Sequence, residues 1–76
     1  MRRHKLHIRL LVAEIIAERG ISRAKLSRMS DLAYNTIIDI CERPDHAVSI
    51  LTLEKIARAL NLPVTALYEV VPNDQP

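Results

Sequence analysis

Seventy-six residues are enough for one domain, and a hydrophobic fraction of 49% lets that domain bury a core. The net charge is +2, but eight basic and two acidic residues fall within 1–28, against three basic and seven acidic residues within 29–76. A lone cysteine excludes an internal disulfide, and the three histidines lack metal-ligand spacing, so we expect no metal and a chain compatible with a reducing cytosol.

The uneven charge predicts one basic face that meets an anionic partner, although a patchy, solvated surface explains it as well. The basic residues within 1–5 are predicted to form an arm that follows a DNA groove, or else a flexible, solvated tail. The apolar run after them is short and interrupted by His7, Arg9 and Glu14, so neither a secretory signal nor a membrane-spanning helix is expected. The sequence therefore predicts a cytoplasmic protein without membrane contact.

The two ends of the chain carry strand patterns. Polar and apolar residues alternate over residues 5–10, which predicts a strand. From Leu11 the apolar period becomes about 100° per residue, which predicts a helix, and Gly20 ends it because glycine accepts the left-handed cap conformation. Residues 68–71 are β-prone, and residues 72–76 are expected to form a flexible tail. We hypothesise that the two β-prone segments pair antiparallel and pack on the helices or on a second copy.

Residues 22–42 have the pattern of two short helices joined by a tight turn. Ser22 is an N-cap residue for a helix over residues 23–30. Asp31 tolerates the positive φ that a turn requires, and a further helix over 33–42 follows it. The residues predicted to face inward from these two helices are Leu26, Met29, Ile37, Ile40 and Cys41.

Two more helices are predicted after a polar loop. Pro44 stops the preceding helix, because the residue before a proline avoids the α region. Ser49 caps a helix over residues 50–60, and Pro63 opens a short last helix over 64–67. A buried stripe at i, i+3, i+4 and i+7 is predicted on the longer helix, formed by Leu53, Ile56, Ala57 and Leu60.

Two blocks of residues are similar to the Cro/C1-type (XRE) DNA-binding domains, which include the lambdoid phage repressors. Leu26, Leu32 and Ile37 match the spacing of the helix-turn-helix of that family, and residues 49–62 resemble its fourth helix and the start of its fifth. The resemblance implies a mainly all-α fold: one compact five-helix, lambda-repressor-like domain over residues 1–76, here with two short terminal β-strands. The chain departs from the usual family pattern at Ser27, Ser30 and Asp31, and in the loop that contains Pro44.

By the same resemblance, the third helix enters the major groove and its exposed side chains read bases. Asn35 would bond the N6 and N7 atoms of adenine, and Asp39 would accept from cytosine N4, whereas the alternative for both is a solvated helix position. The residues implied as base contacts are Ala33, Tyr34, Asn35 and Asp39. The residues implied as phosphate contacts are Arg23, Lys25, Arg28, Thr36 and Arg43, although Lys25 and Arg28 fit ordinary surface charge equally well.

These observations predict a sequence-specific transcriptional regulator, a repressor, that binds double-stranded DNA as a homodimer through its terminal strands or fifth helix. The expected location is the cytoplasm of a prokaryotic or phage system, on the nucleoid. The main alternative is a protein-interaction module, antitoxin-like or an accessory regulator, with a regulatory protein partner; the acidic second half favours it. RNA binding is a weaker third possibility, because few aromatic residues are available for stacking. No catalytic constellation is evident, so no enzyme and no cofactor are expected.

Overall fold

The structure is a computed structural model that describes residues 6–72. In chain order the elements are β1 (Leu6–Leu10), α1 (Val12–Arg19), α2 (Arg23–Ser30), α3 (Tyr34–Glu42), α4 (Ile50–Leu60), a 3-10 helix (Val64–Leu67) and β2 (Tyr68–Pro72). The mainly helical fold with two terminal strands is as expected. The arm predicted over residues 1–5 and residues 73–76 of the predicted tail lie outside the described residues.

The expected count of five α-helices is wrong. Four α-helices are present in the described part of the chain, and Val64–Leu67 forms one 3-10 turn after Pro63, whose φ is −69°. The turn cannot lengthen into an α-helix because Tyr68, the next residue, is already extended and begins β2. At the other predicted boundary, Ala33 is the N-cap of α3 rather than its first helical residue.

The two terminal strands form an antiparallel ribbon, in agreement with the sequence hypothesis. Ile8 lies opposite Val70, and Leu10 lies opposite Tyr68. The ribbon is fixed to the helical part at one end, because the Leu10 N–H donates to the Pro44 carbonyl at 2.8 Å and Leu10 is 1% exposed. A two-stranded ribbon is marginal by itself, so this attachment is what holds it in place.

One aliphatic core joins the ribbon to all four α-helices. Its buried members are Leu10, Val12, Ile16, Leu26, Ile37, Ile40, Leu53, Ile56, Ala57, Leu60 and Leu67. The stripe predicted on α4 is confirmed in full, and Cys41 packs half-buried against the core, which raises the pKa of its thiol. The prediction for Met29 is wrong, since this side chain is 41% exposed. Leu26 and Ser30, four residues apart, set the inward line of α2, and Met29 lies at its edge.

Two serines at departures from the usual family pattern find local partners. The Ser30 hydroxyl is buried and donates to the Leu26 carbonyl one turn earlier at 2.7 Å. The Ser27 hydroxyl donates to the Leu32 carbonyl and so spans the turn between α2 and α3. Neither serine leaves a buried polar group unsatisfied, so both are compatible with the close approach of the two helices.

Replacing Asp31 with glycine is expected to stabilise the protein. Asp31 ends α2 in the left-handed region with φ of 61°, where any residue that has a Cβ is strained and glycine is not. We expect the free energy of unfolding to rise by about 0.5–1 kcal/mol. Urea denaturation followed by circular dichroism measures the change. Alanine at position 31 is the control, and it should not stabilise; equal gains from glycine and alanine would contradict the account of this turn.

Candidate nucleic-acid interface

The orientation of α3 follows from its two buried isoleucines. Ile37 and Ile40 are 0% and 2% exposed and seat the helix on the core. The opposite side of the helix is therefore turned to solvent. With a period of 3.6 residues, that side carries Asn35, Ile38 and Asp39 at positions i, i+3 and i+4.

The structure places the four residues implied as base contacts on or next to the exposed part of α3. Ala33 is the exposed N-cap, and Tyr34 and Asn35 are exposed in the first turn. Asp39 follows one turn later and is half-buried. The four residues thus occupy the N-terminal two turns of one short helix, which is the part that reads bases in helix-turn-helix proteins.

Asp39 is held in a small charged cluster with the loop that follows α3. Its carboxylate accepts from His46 Nδ1 at 3.2 Å through Oδ2 and from an Arg43 nitrogen at 3.2 Å through Oδ1. The bond from His46, with the second from Arg43, lowers the pKa of Asp39 below its ordinary value. Asp39 is therefore ionised and positions both Arg43 and His46 beside the C-terminal half of α3.

Arg23 and Glu42 connect the first turn of α2 with the last turn of α3. An Arg23 nitrogen donates to Glu42 Oε2 at 3.1 Å, and this bond raises the pKa of the Arg23 guanidinium. Both side chains are substantially exposed, so the pair contributes little to stability. The guanidinium is thus fixed next to the exposed side of α3 while it stays open to a second anion.

The remaining residues implied as phosphate contacts are less concentrated. Lys25 and Arg28 are exposed on the side of α2 that faces away from Leu26 and Ser30, and within residues 6–72 neither forms an ion pair. Thr36 is half-buried in α3. Arg23 and Arg43 are therefore the two implied phosphate contacts that bond acidic side chains of α3, whereas Lys25 and Arg28 are exposed on α2.

Asp31 lies at the turn that ends α2. It lines a surface cleft together with Lys55 and Arg58 of α4. A carboxylate that shares a cleft with two basic side chains is partly offset by their positive charge.

Ile38 was not predicted from the sequence to lie on this surface, and the bond between His46 and Asp39 was not predicted either. Ile38 is only half-buried on the solvent side of α3, three residues after Asn35. The sequence does contain a signal for Ile38, since Ile37, Ile38 and Ile40 all fall in one helix. A single inward stripe can hold Ile37 and Ile40 but not Ile38 as well. His46 left no local signal, since its partner Asp39 lies seven residues away across a loop.

Other kinds of site find no support in the described residues. Among residues 6–72 no group of three His, Cys, Asp or Glu side chains could hold a metal ion. None of the helices in that range is long and apolar enough to cross a membrane.

A comparison with known protein families finds a match over most of the chain. The model of the family described as "Cro/C1-type HTH DNA-binding domain" matches residues 12–73, which leaves β1 ahead of the matched segment. No curated protein sequence matches the chain. The matched range contains every α-helix of the structure, including the exposed side of α3.

Proposed function

The chain belongs to the Cro/C1-type helix-turn-helix DNA-binding domain family, and from this premise we propose that it is a sequence-specific transcriptional repressor. One observation carries the proposal: Ile37 and Ile40 bury one side of α3, while Asn35, Ile38 and Asp39 remain on the other, next to Arg23. An α-helix with a polar, partly aliphatic outer side fits the width of the major groove. Occupying a site that a polymerase needs is a direct route to repression.

Each side chain of the exposed side has a distinct chemical role in the proposal. Asn35 bonds adenine in a bidentate manner, and Ile38 contacts the methyl group of a neighbouring thymine. Asp39 either accepts from cytosine N4 or keeps its bond to Arg43 and so holds Arg43 toward the phosphate chain. Ala33 and Tyr34 flank these contacts at the start of the helix.

Phosphate contacts supply most of the affinity in this proposal, and α3 supplies the specificity. Arg23 and Arg43 contact the DNA phosphates closest to the major groove. Thr36, Lys25 and Arg28 contact phosphates farther from it. One recognition helix covers few base pairs, so the working form is a homodimer on a two-fold symmetric operator. We place it where such an operator is found, on the prokaryotic or phage genome in the cytoplasm.

Replacing Arg23 with alanine is expected to weaken binding to every duplex by a similar factor. The phosphate contact it removes carries no sequence information, and the slope of log K against log salt should fall by about 0.9. Fluorescence anisotropy on a selected site and on a scrambled duplex, at several salt concentrations, measures both quantities. The matched control is Glu42→Gln, which frees Arg23 from its carboxylate partner and should strengthen binding to both duplexes. A selective loss on one sequence would contradict the phosphate assignment.

A protein-interaction module on the same fold is the second candidate. The carboxylates of Asp39 and Glu42 lie on or beside the exposed side of α3, and each already binds an arginine. Because of these pairs, the surface around α3 is partly neutralised and not purely cationic, which favours a protein partner. Salt separates the two candidates, since DNA binding weakens steeply as salt rises and an apolar protein contact does not.

A further inference from the structure

The inward side of the terminal ribbon extends beyond the core that it covers. Ile8 and Leu10 lie on the same side of β1, because side chains two residues apart share a face. Leu10 is 1% exposed, yet Ile8 is 45% exposed and Val70, directly opposite it, is 56% exposed. The outer half of an apolar face is therefore left uncovered in the single chain.

The same uncovered face continues onto the start of α4. Ile8 and Ile50 both line a cleft of about 370 Å³, whose floor is formed by Leu10, Leu53 and Tyr68. Ile50 is 72% exposed, the largest exposed fraction among the large apolar residues of the described chain. Contiguous exposed apolar surface of this kind is typical of an interaction site.

We propose that this face, formed by Ile8, Val70 and Ile50 around the cleft, is the surface on which a second copy of the chain docks. The charge distribution favours a second copy over another partner. A two-fold interface places a surface against itself, so it must be nearly neutral or carry charges that pair with each other. The cleft fulfils this condition, since its lining is mostly apolar and carries one acidic residue, Asp45, and one histidine, His46.

The position of the face relative to α3 also suits a dimer on DNA. His46 lines the cleft and bonds Asp39 of α3, while Pro44 of the same loop accepts from Leu10 of the ribbon. The docking face thus lies beside the C-terminal end of α3 and not behind the domain. A second copy docked there lies close to α3, so the two α3 helices of a dimer can reach adjacent half-sites. This inference rests on the proposed function and adds the surface that it needs.

Two neighbouring substitutions in the first turn of α4 test the proposal. Ile50→Glu puts a carboxylate on the docking face twice per dimer, whereas Leu51→Glu makes the same charge change at a 60% exposed residue that does not line the cleft. Both place an acid near a helix N-terminus, where it does not harm folding. Val70→Thr is a milder second variant, which keeps a β-branched side chain in the strand. Sedimentation velocity over a concentration series gives the dimer dissociation constant, and circular dichroism gives the melting temperature.

We expect the dimer dissociation constants of the wild type and Leu51→Glu to lie within about threefold of each other, as is usual for a surface substitution. Ile50→Glu should raise the dissociation constant by at least about 30-fold, the effect of an interface hot spot, while its melting temperature stays that of the wild type at concentrations where both are monomeric. A wild type that is monomeric at every concentration, or an Ile50→Glu variant as dimeric as Leu51→Glu, would overturn the inference. Binding of the same proteins to a selected duplex is measured in parallel. Dimers that select no duplex would refute the proposed function alone, and selective binding by a chain indifferent to Ile50→Glu would refute this inference alone.

Discussion

Replacing Ile37 with alanine is expected to lower the free energy of unfolding by about 2–5 kcal/mol. Ile37 is fully buried and is one of two isoleucines that seat α3 on the core. A chain of this size has about 4–11 kcal/mol in total, so the loss removes a large share of its stability. Urea denaturation followed by circular dichroism gives the change, and the variant should unfold at a much lower urea concentration.

The neighbouring residue supplies the control for that prediction. Ile38→Ala removes the same atoms from the solvent side of the same helix, where the side chain is only half-buried. We expect a cost below about 1 kcal/mol in stability, because little packing is lost. Specific DNA binding should weaken instead, through loss of discrimination at one A·T pair. Equal destabilisation by the two substitutions would contradict the orientation of α3.

Replacing Asn35 with alanine is expected to cost about 1–3 kcal/mol on the preferred site and to relax the preference at one base pair. The residue is exposed in the first turn of α3, so its removal leaves the fold intact. Binding to four duplexes that differ only at the affected position measures the preference directly. The wild type should favour one of the four, and the variant should bind all four with similar affinity.

Arg23→Ala is the control for Asn35, because a phosphate contact should lower affinity for all four duplexes alike. Loss of a base contact therefore changes the relative affinities for the four duplexes, whereas loss of a phosphate contact lowers all four affinities by the same factor. If Asn35→Ala keeps the preference of the wild type, α3 is not the helix that reads the bases. The proposed function would then lose its assignment of specificity.

The helices and most of their ends could be predicted because local chemistry determines them. Ser22 and Ser49 each accept a bond from a backbone N–H three residues later, and Gly20 and Asn61 end their helices with positive φ. The antiparallel pairing of the terminal strands was also predictable, because both segments are β-prone, whereas their register was not. The family match confirms the resemblance seen in the residues.

What the sequence could not give depends on contacts between distant segments. The bonds from Arg23 to Glu42 and from His46 to Asp39 join residues that no periodicity connects. Met29 was wrongly predicted to face inward, because the elements packed against a short helix decide which of its residues are buried. In α2 these are Leu26 and Ser30. The 3-10 turn replaced a fifth helix because β2 begins at once, which is a tertiary constraint. The roles of individual residues on DNA remain predictions.

Selection of binding sites from a pool of random duplex DNA, repeated at low and high salt, tests the central proposal most directly. A sequence-specific dimer predicts enrichment of a palindrome whose half-site centres lie about 10 base pairs, or one turn of DNA, apart. The enriched sequence should be the same at both salt concentrations, with weaker retention at high salt. Retention without any enriched sequence, or no retention at low salt, would contradict the assignment of this protein as a regulator that reads DNA through α3.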